Sequence, residues 1–482
     1  MTEHHEIAII GAGLGGIATA IGLLRAGYHD FVVLEQAPRV GGTWYHNRYP
    51  GAECDVMSHL YSYSFEPNPD WSSRYAGQPE IRAYIERCVE KYGVTPHLRL
   101  GTAVRRASWD DDDNVWHLHV EPGESLTAHI VVSALGMFNE PYWPDIEGHD
   151  TFRGQLLHSA RWPDGLDLAG KRVGVIGTAA SAIQLVPEVA KRVEQLHVFQ
   201  RTATWVLPKD HRRYTDEDCA RFRDHPTAMS DLRAKLVVGV NAMMTFSDAE
   251  FCAAQEAAGR ENLAVVEDPD VREKLRPRMP WGSRRPIASS LYYPTFNRSN
   301  VELVTECIDS ITPRGLRTVD GTQRDLDGIV FATGFSATKY LTTIDVTGQR
   351  GLWLESAWRD DPKAYLGVVT AGFPNLFMLY GPNTNNGSIL FMLECQADFV
   401  VRYVKLMDEQ DLAWIAVRES VVENFNSELQ TALERVRVWE AERGGYYRGE
   451  SGRIVTQWPH TMDEYGERLC AVSLDEFEYE RR

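Results

Sequence analysis

Apolar and polar positions follow one another along this chain in distinct textures, and each texture predicts a different kind of element. The opening segment EIAIIGAGLGGIATAIGLLRAG starts with a short apolar run, turns through Gly11, Gly13 and Gly16, and continues at helical spacing. A second apolar run, FVVLE, ends at Glu35. Together they predict strand, tight turn, helix and strand. Between Val104 and Val132 the pattern becomes alternating, as in VWHLHV, and is broken by DDDDN and EPGES. That predicts antiparallel hairpins, with the acidic run Asp110–Asp113 as a solvated turn. The apolar run IVVSALG leads out of the hairpins as a buried strand. KRVGVIGTAASAIQLVPEVA, followed by LHVFQR, then repeats the strand–turn–helix–strand order from about residue 170. Charged, helix-forming sequence fills 209–283, and strand patterns return after Tyr292 in VELVT and GIVFATGF. The loop GPNTNNGS, helical stretches and a Gly- and aromatic-rich tail, GGYYRGESGRIVTQWP, close the chain; the tail is expected to lie as a loop on the surface of the body.

These elements predict an α/β fold: two Rossmann-like dinucleotide-binding domains with an antiparallel β insertion and a helical insertion. The expected division is 1–145 for the first part of one domain and 151–208 for the first part of the other. The helical insertion follows at 209–283, then 284–345 and 346–482 return to the second and first domains, the latter carrying the tail. A length of 482 residues suits two or three domains. A formal net charge of −18 opposes a phosphate backbone, so nucleic acid is not an expected partner. Seven scattered cysteines without C-x-x-C spacing offer neither a disulfide framework nor a zinc site, and no metal is expected. Ile7–Leu24 is nearly uncharged, yet its placed glycines and the acidic start before it argue for strand, turn and helix rather than a signal or membrane span. A cytoplasmic protein is the expectation.

The glycine turns carry the first chemistry. In GAGLGG, Gly11 permits the tight turn, Gly13 lets backbone N–H groups approach a pyrophosphate, and Gly16 allows close helix–strand packing. Glu35 stands where a ribose hydroxyl is bound, which suits FAD or NAD and disfavours a 2′-phosphate. In the second unit, GTAASA, Gly177 is kept and the middle glycine is replaced by Ala179. No acid ends the following strand; Arg201 and Thr202 stand there instead and suit the 2′-phosphate of NADPH. Two dinucleotide units in one chain point to a flavin facing a nicotinamide.

Two longer patterns carry a family resemblance. FRGQLLHSARWP, Phe152 to Pro163, fits F-x-G-x-x-x-H-x-x-x-W-P, and GGTWYHNRYPGAECD, Gly41 to Asp55, fits [AG]-G-x-W-x4-[FY]-P-[GM]-x3-D. With SHLYSYSF, YYPTFNRSNVELV and FPNLFMLYGPNT, the chain resembles the type I Baeyer–Villiger monooxygenases over most of its length. The resemblance implies FAD and NADPH as cofactors and conversion of a ketone to an ester or lactone with O2 through a flavin C4a-peroxide. It implies Arg285, seven residues before Tyr292, as the catalytic cation and Asp55 as its partner. It implies flavin contacts at Thr43, Trp44, Asp55, Tyr61 and Val104. It implies NADPH contacts at Gly177, Thr178, Ala179, Ser181, Ala182, Gln184, Arg201, Thr202 and Arg284. His158 resembles a residue coupling NADPH binding to domain movement; a plain linker histidine is the alternative. Two features depart from the family: Ala179, and GPNTNNGS, which is shorter than the loop that shapes the substrate side. A flavin monooxygenase acting on nitrogen or sulfur, or a non-oxygenating flavin reductase, are the competing functions; oligomeric state is not legible.

Overall fold

The structure is a computed structural model that describes residues 3–123, 125–359, 361–441 and 447–482. Two sheets organise it. The first is built on β1 (Glu3–Ile10), which runs parallel to β2 (Phe31–Glu35) on one side and to β6 (Leu126–Ser133) on the other. Beyond β2 lies β3 (Leu98–Leu100). On the other flank, β4 (Ala103–Asp110) and β5 (Val115–Glu121) pair antiparallel with each other, and β5 pairs antiparallel with β6. These are the expected hairpins. Asp110 closes the first, its Oδ1 accepting the N–H groups of Asp112 and Asp113.

The second sheet is wholly parallel. β8 (Arg172–Ile176) lies between β9 (Gln195–Phe199) and a returning strand, β16 (Gly328–Phe331); β7 (Gln155–His158) and β12 (Val301–Val304) form the edges. All five residues of β2 and all four of β16 are buried, the pattern of strands covered on both faces. A two-stranded pair, β10 (Val206–Leu207) with β11 (Ile287–Ala288), spans the base of the helical segment. A three-stranded antiparallel sheet, β13 (Ile308–Thr312), β14 (Gly315–Thr318) and β15 (Gln323–Asp325), leads into β16. Two strands late in the chain return to the first sheet, β17 (Asp345–Thr347) beside β4 and β18 (Leu376–Met378) beside β6. β19 (Leu412–Val417) and β20 (Phe477–Arg481), with two helices between them in sequence, pair antiparallel as a separate two-stranded sheet.

Helix α1 (Leu14–Arg25) is apolar nearly all round because it is wrapped on all sides. One face covers the first sheet; a β-carbon at Gly15 or Gly22 would press on Leu393 or Val401 of a long late helix (Ile389–Glu409). A short helix, α2 (Thr43–His46), follows β2, and α3 (Gln78–Lys91) packs its Ile81, Tyr84, Ile85 and Cys88 side into the same core. In the second unit, α4 (Ala180–Ala190) plays the part of α1. Between β10 and β11, α5 (Asp216–Asp224), α6 (Pro226–Met244), α7 (Ala249–Leu263) and α8 (Pro269–Lys274) make up the helical segment. Thr215 and Asp218 close a reciprocal cap at the start of α5. Among the described residues, no helix is long and apolar enough to cross a membrane.

The tail departs from expectation. Its first three residues, Gly444 to Tyr446, lie outside the described residues; Glu450 to Gly452 are exposed as expected, but Ile454 to Trp458 are buried rather than on the surface. The reason is the asparagine run. Asn383 donates its side-chain amide to the carbonyls of Ile454 (2.9 Å) and Gln457 (3.1 Å), and Asn386 donates to that of Trp458 (3.0 Å). The backbone N–H groups of Asn383 and Asn385 reach the carbonyls of Val455 and Thr456. Irregular backbone is buried at low cost when side-chain amides satisfy its carbonyls.

Candidate active site

The two glycine turns are the same construction made twice. Gly11 has φ of +110° and Gly177 of +114°. A β-carbon on Gly11 would lie 2.7 Å from the carbonyl oxygen of Ala134, just past β6; on Gly177, 2.5 Å from that of Ala332, just past β16. In each unit the first strand's last carbonyl accepts from this neighbour, Ala134 N–H to Ile10 and Ala332 N–H to Ile176. Only glycine fits such a turn. Gly16 is tighter still, since a β-carbon there would stand 2.0 Å from the Gly11 oxygen; the equivalent position of the second unit is Ala182, where a methyl is accommodated.

Both turns end at helices that begin without a side-chain cap. Gly13 precedes α1 and Ala179 precedes α4; both are extended, neither accepts a capping bond, and neither helix has an acid in its first turn. The leading N–H groups of both helices therefore face the cleft as a ready site for anionic phosphate. Gly42, with φ of +53°, brings its backbone against Gly13, so these two residues place no side chain between the glycine turn and the start of α2. Glu35 is 5% exposed at the end of β2, its oxygens accepting the N–H groups of Ala12 and Ala37 at 2.8 Å each, and burial raises its carboxyl pKa. The uncapped donors fit a dinucleotide phosphate in each unit, and Glu35 adds a ribose acceptor in the first.

One cleft of about 1430 Å³ joins the two turns. Pockets for one drug-sized ligand run to roughly 1,000 Å³, so this volume suits more than one. Gly11, Gly13, Glu35, Thr43, Trp44, Asp55, Tyr61 and Val104 line one side. Gly177, Thr178, Ala179, Ser181, Gln184, Arg201, Thr202, Arg284 and Arg285 line the other. Gly16 and Ala182 sit beneath their turns, in the helices, and His158 is outside the lining. Trp44 and Tyr61 are both buried at the wall, the indole donating to the Tyr61 hydroxyl at 3.1 Å.

Arg285, two residues before β11, meets Asp55 from the opposite unit. Its Nε donates to Oδ2 at 3.0 Å and its Nη2 to Oδ1 and Oδ2, each at 2.9 Å. This is the fork geometry that fixes a guanidinium in space while leaving its charge in place. The loop that carries Asp55 is anchored by Gln184 of α4, whose Nε2 donates to the carbonyl of Glu53 (2.9 Å) while its Oε1 accepts from Tyr49 Oη (2.9 Å). Burial pushes the Tyr49 phenol up to about 12.

His158 is 1% exposed at the end of β7, its Nδ1 accepting the N–H of Ala160 at 3.1 Å. Burial pushes its imidazole down to about 4, so it is neutral at pH 7. His46 is held at about 4 by burial and by the charges of Arg161 and Arg48. Arg161 and His46 line the cleft, and motif reading did not single them out. Arg161 occupies an unspecified position inside the Phe152–Pro163 pattern and His46 one inside the Gly41–Asp55 pattern, the one signal that could have found them.

Comparison with known proteins agrees with this geometry. Residues 8–215 match the pyridine nucleotide-disulphide oxidoreductase family model. A Baeyer–Villiger monooxygenase of Pseudomonas aeruginosa is 40% identical over 464 residues, covering 95% of this chain and 88% of the relative. One of Streptomyces coelicolor is 40% identical over 486 residues, 99% of this chain and 93% of the relative. The crystal structure of cyclohexanone monooxygenase from Rhodococcus sp. Phi1 bound to NADP+ superposes with a TM-score of 0.90 over 100% of both chains at 31% identity. That of oxidised steroid monooxygenase bound to NADP superposes at 0.89 over 99% of this chain and 100% of the other, also at 31% identity. With this sequence identity over nearly its whole length, a shared fold and two dinucleotide turns opening on one cleft, the chain belongs to the Baeyer–Villiger monooxygenase family.

Proposed function

We propose that this chain is an FAD- and NADPH-dependent monooxygenase that converts a small ketone to an ester or lactone, placing one atom of O2 beside the carbonyl and releasing the other as water. The observation that carries the ketone reading is the Arg285–Asp55 fork at the wall shared by both units. The bound cofactors supply the hydride and the activation of O2.

The residues divide the remaining work. The turn at Gly11, Gly13 and Gly16 with Glu35 receives FAD, and Thr43, Trp44, Asp55, Tyr61 and Val104 wall it. The turn at Gly177, Thr178 and Ala179 with Ser181, Ala182 and Gln184 receives NADPH, and Arg201, Thr202 and Arg284 take its 2′-phosphate. Arginine stays protonated throughout, so Arg285 offers a fixed positive charge to oxygen that becomes anionic during attack on a carbonyl. Its lock on Asp55 means little reorganisation as that charge develops. The domain division proposed is 1–145 with 346–482 around FAD and 151–208 with 284–345 around NADPH, the helices of 209–283 lying between. All seven cysteines are free, which suits the reducing cytoplasm proposed as its location.

The test is a product-identified ketone screen with NADPH under isotopically labelled O2. One labelled oxygen in an ester supports the reading. Hydrogen peroxide alone from every ketone, with sulfides oxidised, removes it. Arg285→Ala should let NADPH reduce the flavin and make no ester; retained ester formation would take Arg285 out of its role.

A further inference from the structure

We propose that Lys209 is a positioning residue for the Asp55–Arg285 pair, and this inference rests on the function proposed above. Lys209 follows β10 as Arg285 precedes β11, and the two strands pair, Val206 with Ile287 and Leu207 with Ala288. Each cation reaches across to the same three-residue stretch of the opposite unit. Lys209 Nζ donates to Glu53 Oε1 at 2.7 Å and to the carbonyl of Cys54 at 3.2 Å, while Arg285 takes Asp55. Two adjacent strands thus present two cations that grip three consecutive residues.

The Lys209 side chain is 5% exposed, a placement that is costly for an ammonium unless every donor is answered. Here the three donors find a carboxylate, a carbonyl and the face of Tyr75, whose ring centre lies 4.3 Å away. Its own backbone is pinned by Ser290, whose hydroxyl accepts the Lys209 N–H at 2.9 Å and donates to the Lys209 carbonyl at 3.1 Å. The anchor is therefore rigid at both ends. Asp55 can fix the Arg285 guanidinium only if Asp55 is itself fixed. Without Lys209, the arginine and its carboxylate would shift as one body, and the charge would lose its aim while remaining paired.

The test uses the FAD-loaded protein and Lys209→Met, which keeps length and removes charge. The first readout is amide hydrogen exchange at Cys54, whose N–H is bonded to the Ala76 carbonyl, without substrate present. Loss of charge-assisted bonds at a buried site should speed that exchange about ten-fold. The second pair is the rate of flavin reduction by NADPH and the ester formed per NADPH consumed. Reduction should stay within about two-fold while ester yield falls about ten-fold. Lys209→Arg should recover at least about half of the yield, because it restores charge and reach. Unchanged exchange and yield would overturn the inference, as would a fall in reduction that matches the fall in yield. If Lys209→Met does not fold, Glu53→Gln carries the same test with an effect of about three-fold, since the Cys54 carbonyl contact survives. A wild-type protein that makes no ester from any ketone sinks the proposed function instead, and the exchange measurement still decides whether Lys209 holds the stretch.

Discussion

Replacing Asp55 with alanine isolates what the carboxylate does for the guanidinium. The pair makes three N–H to oxygen contacts of 2.9 to 3.0 Å, with the arginine and aspartate side chains 28% and 26% exposed. An exposed pair contributes about 0–1 kcal/mol, and breaking a fully buried one costs about 3–5 kcal/mol. A pair a quarter exposed and doubly held falls between, at about 2–3 kcal/mol. At 1.36 kcal/mol per decade, Asp55→Ala should lower the rate of ester formation by about 30- to 150-fold. Flavin reduction by NADPH should be little changed, because the hydride step does not need a fixed charge at oxygen. Asp55→Asn keeps one acceptor and should lose about a third to a half of that free energy. The assay pairs anaerobic flavin reduction with ester yield under air. The double variant with Arg285→Ala should be no worse than Arg285→Ala alone, since both remove one interaction. Ester formation by Asp55→Ala within about three-fold of wild type would refute the positioning role assigned to this pair.

Other outcomes follow from separate features. Ala179→Gly should lower the KM for NADPH about three- to five-fold at constant kcat, because glycine is the better cap and opens the approach to α4; an unchanged KM counts against pyrophosphate binding there. Gly16→Ala, with a β-carbon 2.0 Å from the Gly11 oxygen, should abolish FAD retention, read from flavin absorbance after gel filtration, and a fully yellow variant would contradict the turn geometry. His59 is 4% exposed with Nε2 unpartnered, and burial pushes its imidazole down from 6.5 to about 4. The unfolded chain takes up that proton first, so the stability tied to the neutral ring is full above pH about 6.5 and falls by about 3 kcal/mol as pH drops toward 4. Urea midpoints at several pH values should show His59→Gln with a shallower acid slope than wild type; parallel slopes would reject a neutral buried ring.

The repeated strand–turn–helix units were legible because their signal is local: an apolar strand, a glycine turn and helical spacing within about thirty residues. The hairpins of β4, β5 and β6 were legible for the same reason. Asp55 and Arg285 stand 230 positions apart, and no periodicity links them; the family patterns brought them forward. Lys209 had no such pattern. It reads as an ordinary charge at the mouth of a charged segment, and its burial follows from the β10–β11 pairing and from Glu53, 156 positions earlier. The buried end of the tail is not legible because a Gly- and aromatic-rich segment reads as a surface loop. Composition does not reveal that an asparagine run elsewhere supplies the hydrogen bonds that make burial tolerable.

The asparagine clasp has a consequence for how this enzyme can be re-engineered. Asn385 lines the cleft, and its side-chain amide is bonded to Gln457, so that part of the cleft wall takes its shape from chain more than seventy positions downstream. The two segments are one inheritable cassette. Grafting a longer loop from a relative while keeping the native tail would strand donors on one segment and carbonyls on the other. Recombination that carries both together preserves the match, so new substrate preferences should be sought by exchanging residues 381–388 and 447–460 as a unit rather than by single changes in either.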